Sequence, residues 1–185
     1  TIASGTNDQI TRDVADDLDP SFIQGAGETI IFSSNRLSDT LHMAADPFER
    51  TQLTYDLFTY DLSKNNKVLN RLTEGKYVSR FAPVASKSGS LSYTGDADGV
   101  LNRFKATFDS TISYIDTAAH YRYFIDSKQV TDYDRNITSQ SLSPGSDFYG
   151  EVLYSDGRYR ARKGTISSLS PLNPADITKS NFRKE

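Results

Sequence analysis

The clearest apolar run in the chain is Thr29–Arg36, Thr-Ile-Ile-Phe-Ser-Ser-Asn-Arg. Its β-branched and aromatic residues end in a polar exit, which predicts a strand over residues 29–34. Residues 55–62 alternate, with Tyr55, Leu57 and Thr59 on one face and Asp56, Phe58 and Tyr60 on the other. Aromatics on both faces suit a strand packed between neighbouring sheets. Before this core, residues 21–23 predict a short inner strand after Pro20. Residues 24–28 carry two glycines and predict a turn. Residues 63–66 read as a second turn and 67–73 as the returning strand. Residues 13–19 are acidic and read as a loop, and residues 37–54 interrupt the pattern as an inserted loop.

A weaker copy follows. Residues 81–85, 90–94 and 100–108 predict three strands, with turns at 86–89 and 95–99. Residues 109–127 read as a second insertion, and 129–138 as the outer strand. A third copy shows strands at 151–155 and 158–162 around an Asp156-Gly157 turn, without a convincing inner strand. Ile10-Thr11, Leu72-Thr73 and Ile137-Thr138 take matching places, 62 and 65 residues apart. Setting aside the 18 and 19 inserted residues leaves 44 and 46. A four-stranded propeller blade repeats at about 40–45 residues. One blade leaves both faces bare and needs neighbours.

The expected fold is therefore all-β, a partial β-propeller of two to three four-stranded antiparallel blades with loop insertions. Blade one spans 9–73 with insertion 37–54, and blade two spans 74–138 with insertion 109–127. A partial third blade covers 139–163, and 164–185 reads as a linker or mobile tail. The remaining blades are expected outside this chain.

Composition narrows the function classes. Tyr and Phe number 11 and 10 against one Met and no Trp, which favours pleated, half-buried surfaces. A net charge of -3 gives no electrostatic reason for nucleic-acid or anionic-membrane binding. The basic run Arg158-Tyr159-Arg160-Ala161-Arg162-Lys163 reads as the solvent face of a strand. The absence of cysteine removes disulfides, thiolate metal sites and cysteine nucleophiles. No run approaches the roughly 18 apolar residues of a membrane helix, so no membrane insertion is expected. No signal peptide is visible. The chain begins with Thr1, as a processed chain or a fragment does.

Three segments carry a family resemblance. They are Asp19-Pro20-Ser21-Phe22, then Ile30-Ile31-Phe32-Ser33-Ser34-Asn35-Arg36, then Tyr55-Asp56-Leu57-Phe58-Thr59-Tyr60-Asp61, closed by Arg71-Leu72-Thr73. This order resembles the TolB-type WD40-like propeller repeat, which reads roughly Asp-x-x-Pro, a strand ending in Ser-x-Arg, a strand ending in Asp, and a closing Leu-Thr. The second copy departs from it, with Ala82-Pro83 and Gly95-Asp96 at the corresponding places, and the third departs further. The resemblance implies a periplasmic or cell-envelope location, as in large envelope proteins of the Bacteroidetes type. It also implies a non-enzymatic role as a protein-binding platform. The same blade occurs in the non-catalytic propellers of prolyl-oligopeptidase-type and tricorn-like peptidases, and in carbohydrate-binding or lyase propellers, so these are the alternatives.

The chemistry candidates are few. Asp96-Ala97-Asp98-Gly99 has carboxylates at alternate positions, as a calcium loop does, but Thr107 stands where a closing Glu is needed, and a hairpin turn fits better. His42 and His120 are the only histidines, and neither has a partner at ligand spacing. No Gly-x-Ser-x-Gly elbow or phosphate loop is present. No catalytic residue, cofactor or metal is expected. Arg36 could read a ligand from its strand end, or pair with Asp39 or Asp56. The candidate partner-binding residues are Arg36, His42, Tyr121, Tyr123 and Phe124, the last three as aromatic anchors for an unknown protein partner.

Overall fold

A computed structural model describes residues 5, 8–23, 25–41, 50–64, 67–86, 89–143 and 145–184. Eleven strands form three antiparallel sheets among them. Sheet one runs β1 (Asp17–Phe22), β2 (Thr29–Arg36), β3 (Thr51–Asp61) and β4 (Asn70–Arg71) in that order. Sheet two runs β5 (Arg80–Ala85), β6 (Ser90–Gly95), β7 (Asn102–Ile115) and β8 (Ala119–Gln129). Sheet three has β9 (Ile137–Leu142), β10 (Phe148–Ser155) and β11 (Arg158–Thr165). Helix among the described residues is limited to one turn, Asn181–Lys184, and two 3-10 turns, Ile166–Ser168 and Pro174–Asp176.

The sheets share local devices. Each first strand carries one extra residue against its second strand: between Leu18 and Ser21, between Phe81 and Val84, and between Ile137 and Ser139. In β1 and β5 the bulge holds Asp19-Pro20 and Ala82-Pro83, with Asp19 and Ala82 at φ 53 and 49. Proline has no N–H to leave unpaired, so a bulge on an edge strand is where a sheet tolerates it. At the exit of the second strand, the Asn35 side chain accepts from the Asp16 N–H at 2.8 Å, and Asp96 accepts from the Ser79 N–H at 2.7 Å. On the third strand, the Leu57 N–H donates to Thr73 Oγ1 at 2.9 Å, and Thr73 donates to Asp56 at 3.0 Å. Sheet two repeats this clip. The Arg103 N–H donates to Thr131 Oγ1 at 2.8 Å, and Thr131 donates to Asn102 at 2.9 Å. The next backbone bonds match as well, Leu72 N–H to Leu57 O and Val130 N–H to Arg103 O.

Packing differs between the two interfaces. Ile23, Ile31, Leu57 and Leu72 of the first sheet and its flanks meet Ala85, Leu91, Tyr93 and Ala106 of the second in one apolar core. The other face of sheet one buries Phe32, Leu41, Phe58, Tyr60 and Leu69. That face is roofed by guanidinium groups, with Arg36 5.8 Å and Arg71 4.8 Å from the Phe58 ring centroid. Between sheets two and three the contact is polar. Buried Arg103 donates to Ser92, Gln140 and Glu151 and lies 4.0 Å over the Tyr149 ring.

Several expectations change. Residues 51–54 belong to β3, so the first insertion is shorter than 37–54. Residues 109–127 are no loop: β7 and β8 continue as a paired ribbon to a turn at 116–118. Period-two alternation runs through Phe108, Ser110 and Ile112 on β7 and through Tyr121, Tyr123 and Ile125 on β8, which suits a strand pair. The outer strand of sheet two is thus Ala119–Gln129, and the closing pair is Val130-Thr131. Ile137-Thr138, read as that closure, opens β9 instead. β9 escaped notice because Ile-Thr-Ser-Gln-Ser-Leu faces a polar neighbour and carries little apolar signal. The returning strand expected over 67–73 is paired only at Asn70–Arg71, with an isolated bridge from Val68 to Thr40.

The segment after 164, expected to be a linker or mobile tail, completes β11 and then lies against sheet two. Ile166 is buried, the Leu172 N–H donates to Gln129 O, and the Ser180 N–H donates to Asp98 O. The basic run does form a strand, and residues 158–163 are exposed on both of its faces.

The threonine clips give a direct test. Thr73→Val and Thr131→Val each keep the side-chain shape but remove an acceptor from a backbone N–H. Each should lower urea-unfolding stability by about 1–3 kcal/mol, while Thr→Ser at the same places should recover most of the loss.

Candidate interaction surface

The structure separates the sequence-derived candidates. Arg36 is buried, and its guanidinium is fully engaged. Nε donates to Ser34 at 3.0 Å, Nη1 to Asp13 at 2.9 Å, and Nη2 to both oxygens of Asp17 at 2.7 and 2.8 Å. Its guanidinium is thus engaged within the fold, by Ser34, Asp13 and Asp17. Its partners are not Asp39 or Asp56. Those carboxylates take Arg71, and Asp56 takes Arg80 as well. The acidic stretch, read as a loop, runs into β1 and serves the fold. Asp13 and Asp17 hold Arg36, and Asp19 accepts the Ala82 N–H from the next sheet at 2.9 Å. The signal was present as a carboxylate cluster before β1 and one arginine at the exit of β2, but only the fold shows that these ends meet.

His42 lies outside the described residues. His120 stacks on Tyr114 with centroids 4.1 Å apart, and its Nε2 lies 3.1 Å from Asp116. Among the described residues no group of three or more His, Cys, Asp and Glu side chains is placed to hold a metal ion. Asp96 and Asp98 sit in the turn between β6 and β7. Asp98 is buried and accepts from Asn102, Gln129 and the Val100 N–H, so its oxygens serve the turn.

Tyr121 and Tyr123 are brought together on the ribbon. Cross-strand pairing puts Tyr121 opposite Ile112, Tyr123 opposite Ser110 and Ile125 opposite Phe108, all on one face. The ribbon projects beyond the two-residue β4. Ile112, Tyr121 and Tyr123 are consequently 50%, 54% and 49% exposed. Phe124 pairs with Asp109, so it belongs to the opposite face and does not join the patch. Ile112 was missed. Its place beside the tyrosines becomes visible only once β7 is extended past Phe108, whereas Tyr114, paired with His120 after a bulge, lies on the opposite face with Phe124.

Between this ribbon and β4 lies a polar cavity of about 350 Å³, lined by Asp39, Arg71, Glu74, His120 and Arg122 among others. Arg122 reaches Glu74 at 2.5 Å across it. Both side chains are more than half exposed, so the bridge contributes little, about 0–1 kcal/mol. A second cavity of about 370 Å³ lies where the first strands of the sheets converge, at Asp19, Ala82, Thr94, Ile137 and Gln140. There Gln140 Nε2 donates to Ala82 O at 2.5 Å, so the bulges of β1 and β5 each touch the next sheet.

No family model matches the chain, and no curated protein matches it.

Four tyrosine hydroxyls are shifted upward by the fold, Tyr55 among them through burial and then its hydrogen bond to Asp16. Burial raises Tyr93 above its ordinary 10.0, against a weaker opposing effect of the hydrogen bond to Ser127. Burial, then the neighbouring Glu151, raise Tyr133 and Tyr149. A raised folded-state value means the unfolded chain ionises first. This stabilisation is complete below about pH 10 and is lost as the pH climbs through the folded-state values. Thermal melts should fall in that alkaline window, and Tyr93→Phe should flatten the fall.

Arg36 and Tyr121 should also part in mutagenesis. Arg36→Leu leaves Asp13 and Asp17 uncompensated and should cost about 3–5 kcal/mol in denaturant unfolding. Tyr121→Ser, at an exposed position, should stay within about 0.5 kcal/mol.

Proposed function

We propose that this chain is a run of adjoining blades from a TolB-like β-propeller, serving as a non-enzymatic protein-binding scaffold in the bacterial cell envelope. The fold part of this reading draws on the repeated clips at Thr73 and Thr131 and on the bulged first strands. It draws also on the order of the sheets, in which β1 lies beside β5 and β5 beside β9. Two four-stranded meanders and a three-stranded one, touching through their first strands, are the arrangement that radial packing of blades requires. The compartment is carried by the motif resemblance alone.

The binding part is carried by one observation, the ribbon of β7 and β8 that projects an apolar face into solvent. Large apolar side chains clustered and exposed on a rigid strand pair mark interaction surfaces. Tyrosine suits such a surface because it contributes wide contact area at little entropic cost.

Photo-crosslinking tests the reading. A photoreactive phenylalanine at Tyr121 or Tyr123, exposed to envelope extract, should give a discrete adduct that unlabelled protein competes away. A Tyr121→Ser/Tyr123→Ser competitor should be at least about tenfold weaker, as loss of anchor residues implies. A control label at Val14, away from the ribbon, should give no such adduct. Equal labelling from both sites, or no adduct from the ribbon, counts against the scaffold.

A further inference from the structure

Sheet three ends on an open edge. Sheets one and two have four strands and sheet three has three. Its last strand, β11, pairs with β10 over all eight residues without a bulge, from Ser155 opposite Arg158 to Phe148 opposite Thr165. The turn between them is Asp156-Gly157, at φ 52 and 74, the two-residue hairpin turn in which both central residues have positive φ. In such a hairpin the flanking Ser155 and Arg158 form the hydrogen-bonded pair, and alternation then turns the N–H and C=O of Tyr159, Ala161 and Lys163 outward. The following chain leaves this edge uncovered, because Ile166 turns back to Asp147 and Leu172 bonds to Gln129.

The edge is also the most basic stretch of a chain whose net charge is -3. Arg158, Arg160, Arg162 and Lys163 are all exposed. Among the described residues their one ion pair is Arg160 with Asp156, at 3.6 Å. Glu151, opposite Arg162, is already occupied by Arg103 and the Tyr133 hydroxyl.

We propose that β11 is an acceptor edge for an acidic, extended polypeptide segment, which adds to sheet three as a fourth strand. Outward backbone groups supply the pairing, and the arginines at 158, 160 and 162, which share a face, select alternating carboxylates on the incoming strand. A second copy of β11 is disfavoured, since its arginines and lysine would stand against these. A charged edge protects a sheet from indiscriminate pairing. This one rejects basic and neutral strands and leaves the acidic class admissible. The inference does not depend on the propeller reading or on the ribbon.

The test uses the full chain and a labelled, end-blocked peptide of about ten alternating Glu and Val residues, long enough to span the strand. Fluorescence anisotropy should show saturable binding that weakens with salt, as exposed charge pairs do. R158E/R160E should abolish it. Ala161→Pro, which removes an outward N–H and leaves every charge in place, should weaken it at least about tenfold. Because that variant could disturb β11, the decisive arm keeps the protein wild type. Of two peptides of the same charge, one N-methylated at its valines and one at its glutamates, the one whose blocked edge faces β11 should bind at least about tenfold more weakly. Equal binding of both methylated peptides and the parent would show adsorption by charge alone and overturn the proposal. So would the absence of saturable binding, or undiminished binding by R158E/R160E.

Discussion

Sheet two holds both neighbours through arginines, Arg103 fully buried and Arg80 half-buried. Arg80, on β5, donates to Asp56 of β3 at 3.0 Å, and Arg103, on β7, donates to Glu151 of β10 at 2.8 Å. Taking such charges out of water costs several kcal/mol for each ion, so these pairs rely on the further bonds that their carboxylates receive. Asp56 receives Gln52, Arg71 and Thr73 besides Arg80, and Glu151 receives the Tyr133 hydroxyl besides Arg103. An apolar contact tolerates sliding, but a buried ion pair does not. The arginines therefore fix the register of one sheet upon the next more than they add net stability.

The two interfaces draw on different forces. Sheets one and two share an apolar core from Ile31 and Leu57 to Leu91 and Tyr93, where burial is favourable at about 25 cal/mol per Å². Sheets two and three meet over Arg103, Gln140 and Ser92, with the Arg103 Nε left without a partner. Polar contacts of this kind reward correct geometry and punish small errors. The first pair of sheets is thus joined tightly by area, and the third sheet by geometry.

Sequence patterning exposed the parts of the fold that obey local rules. Thr29–Arg36 announced β2 through its β-branched run, and Asp156-Gly157 announced the last hairpin through turn chemistry. The failures have physical causes. β9 is a first strand facing a polar neighbour, so it carries no apolar signature. The ribbon was hidden because residues beyond Phe108 look polar until they are paired with β8. Arg36 looked available because its carboxylate partners lie 19 and 23 residues earlier, a distance that periodicity does not bridge. Tyr121 and Tyr123 were legible as exposed aromatics, whereas the divergence of Phe124 from them required the register.

The Leu172 N–H bonded to Gln129 O has a topological meaning. Chain leaves sheet two at Gln129, builds all of sheet three, and returns to the same residue. The third sheet is in effect a large closed loop cinched at its neck. Loop-closure entropy grows only with the logarithm of length, by about 0.6 kcal/mol for each doubling, so the neck tolerates a longer or shorter lobe at little cost. The same residue that ends one sheet thereby makes the next a detachable module, whose contents can vary while its point of suspension stays fixed.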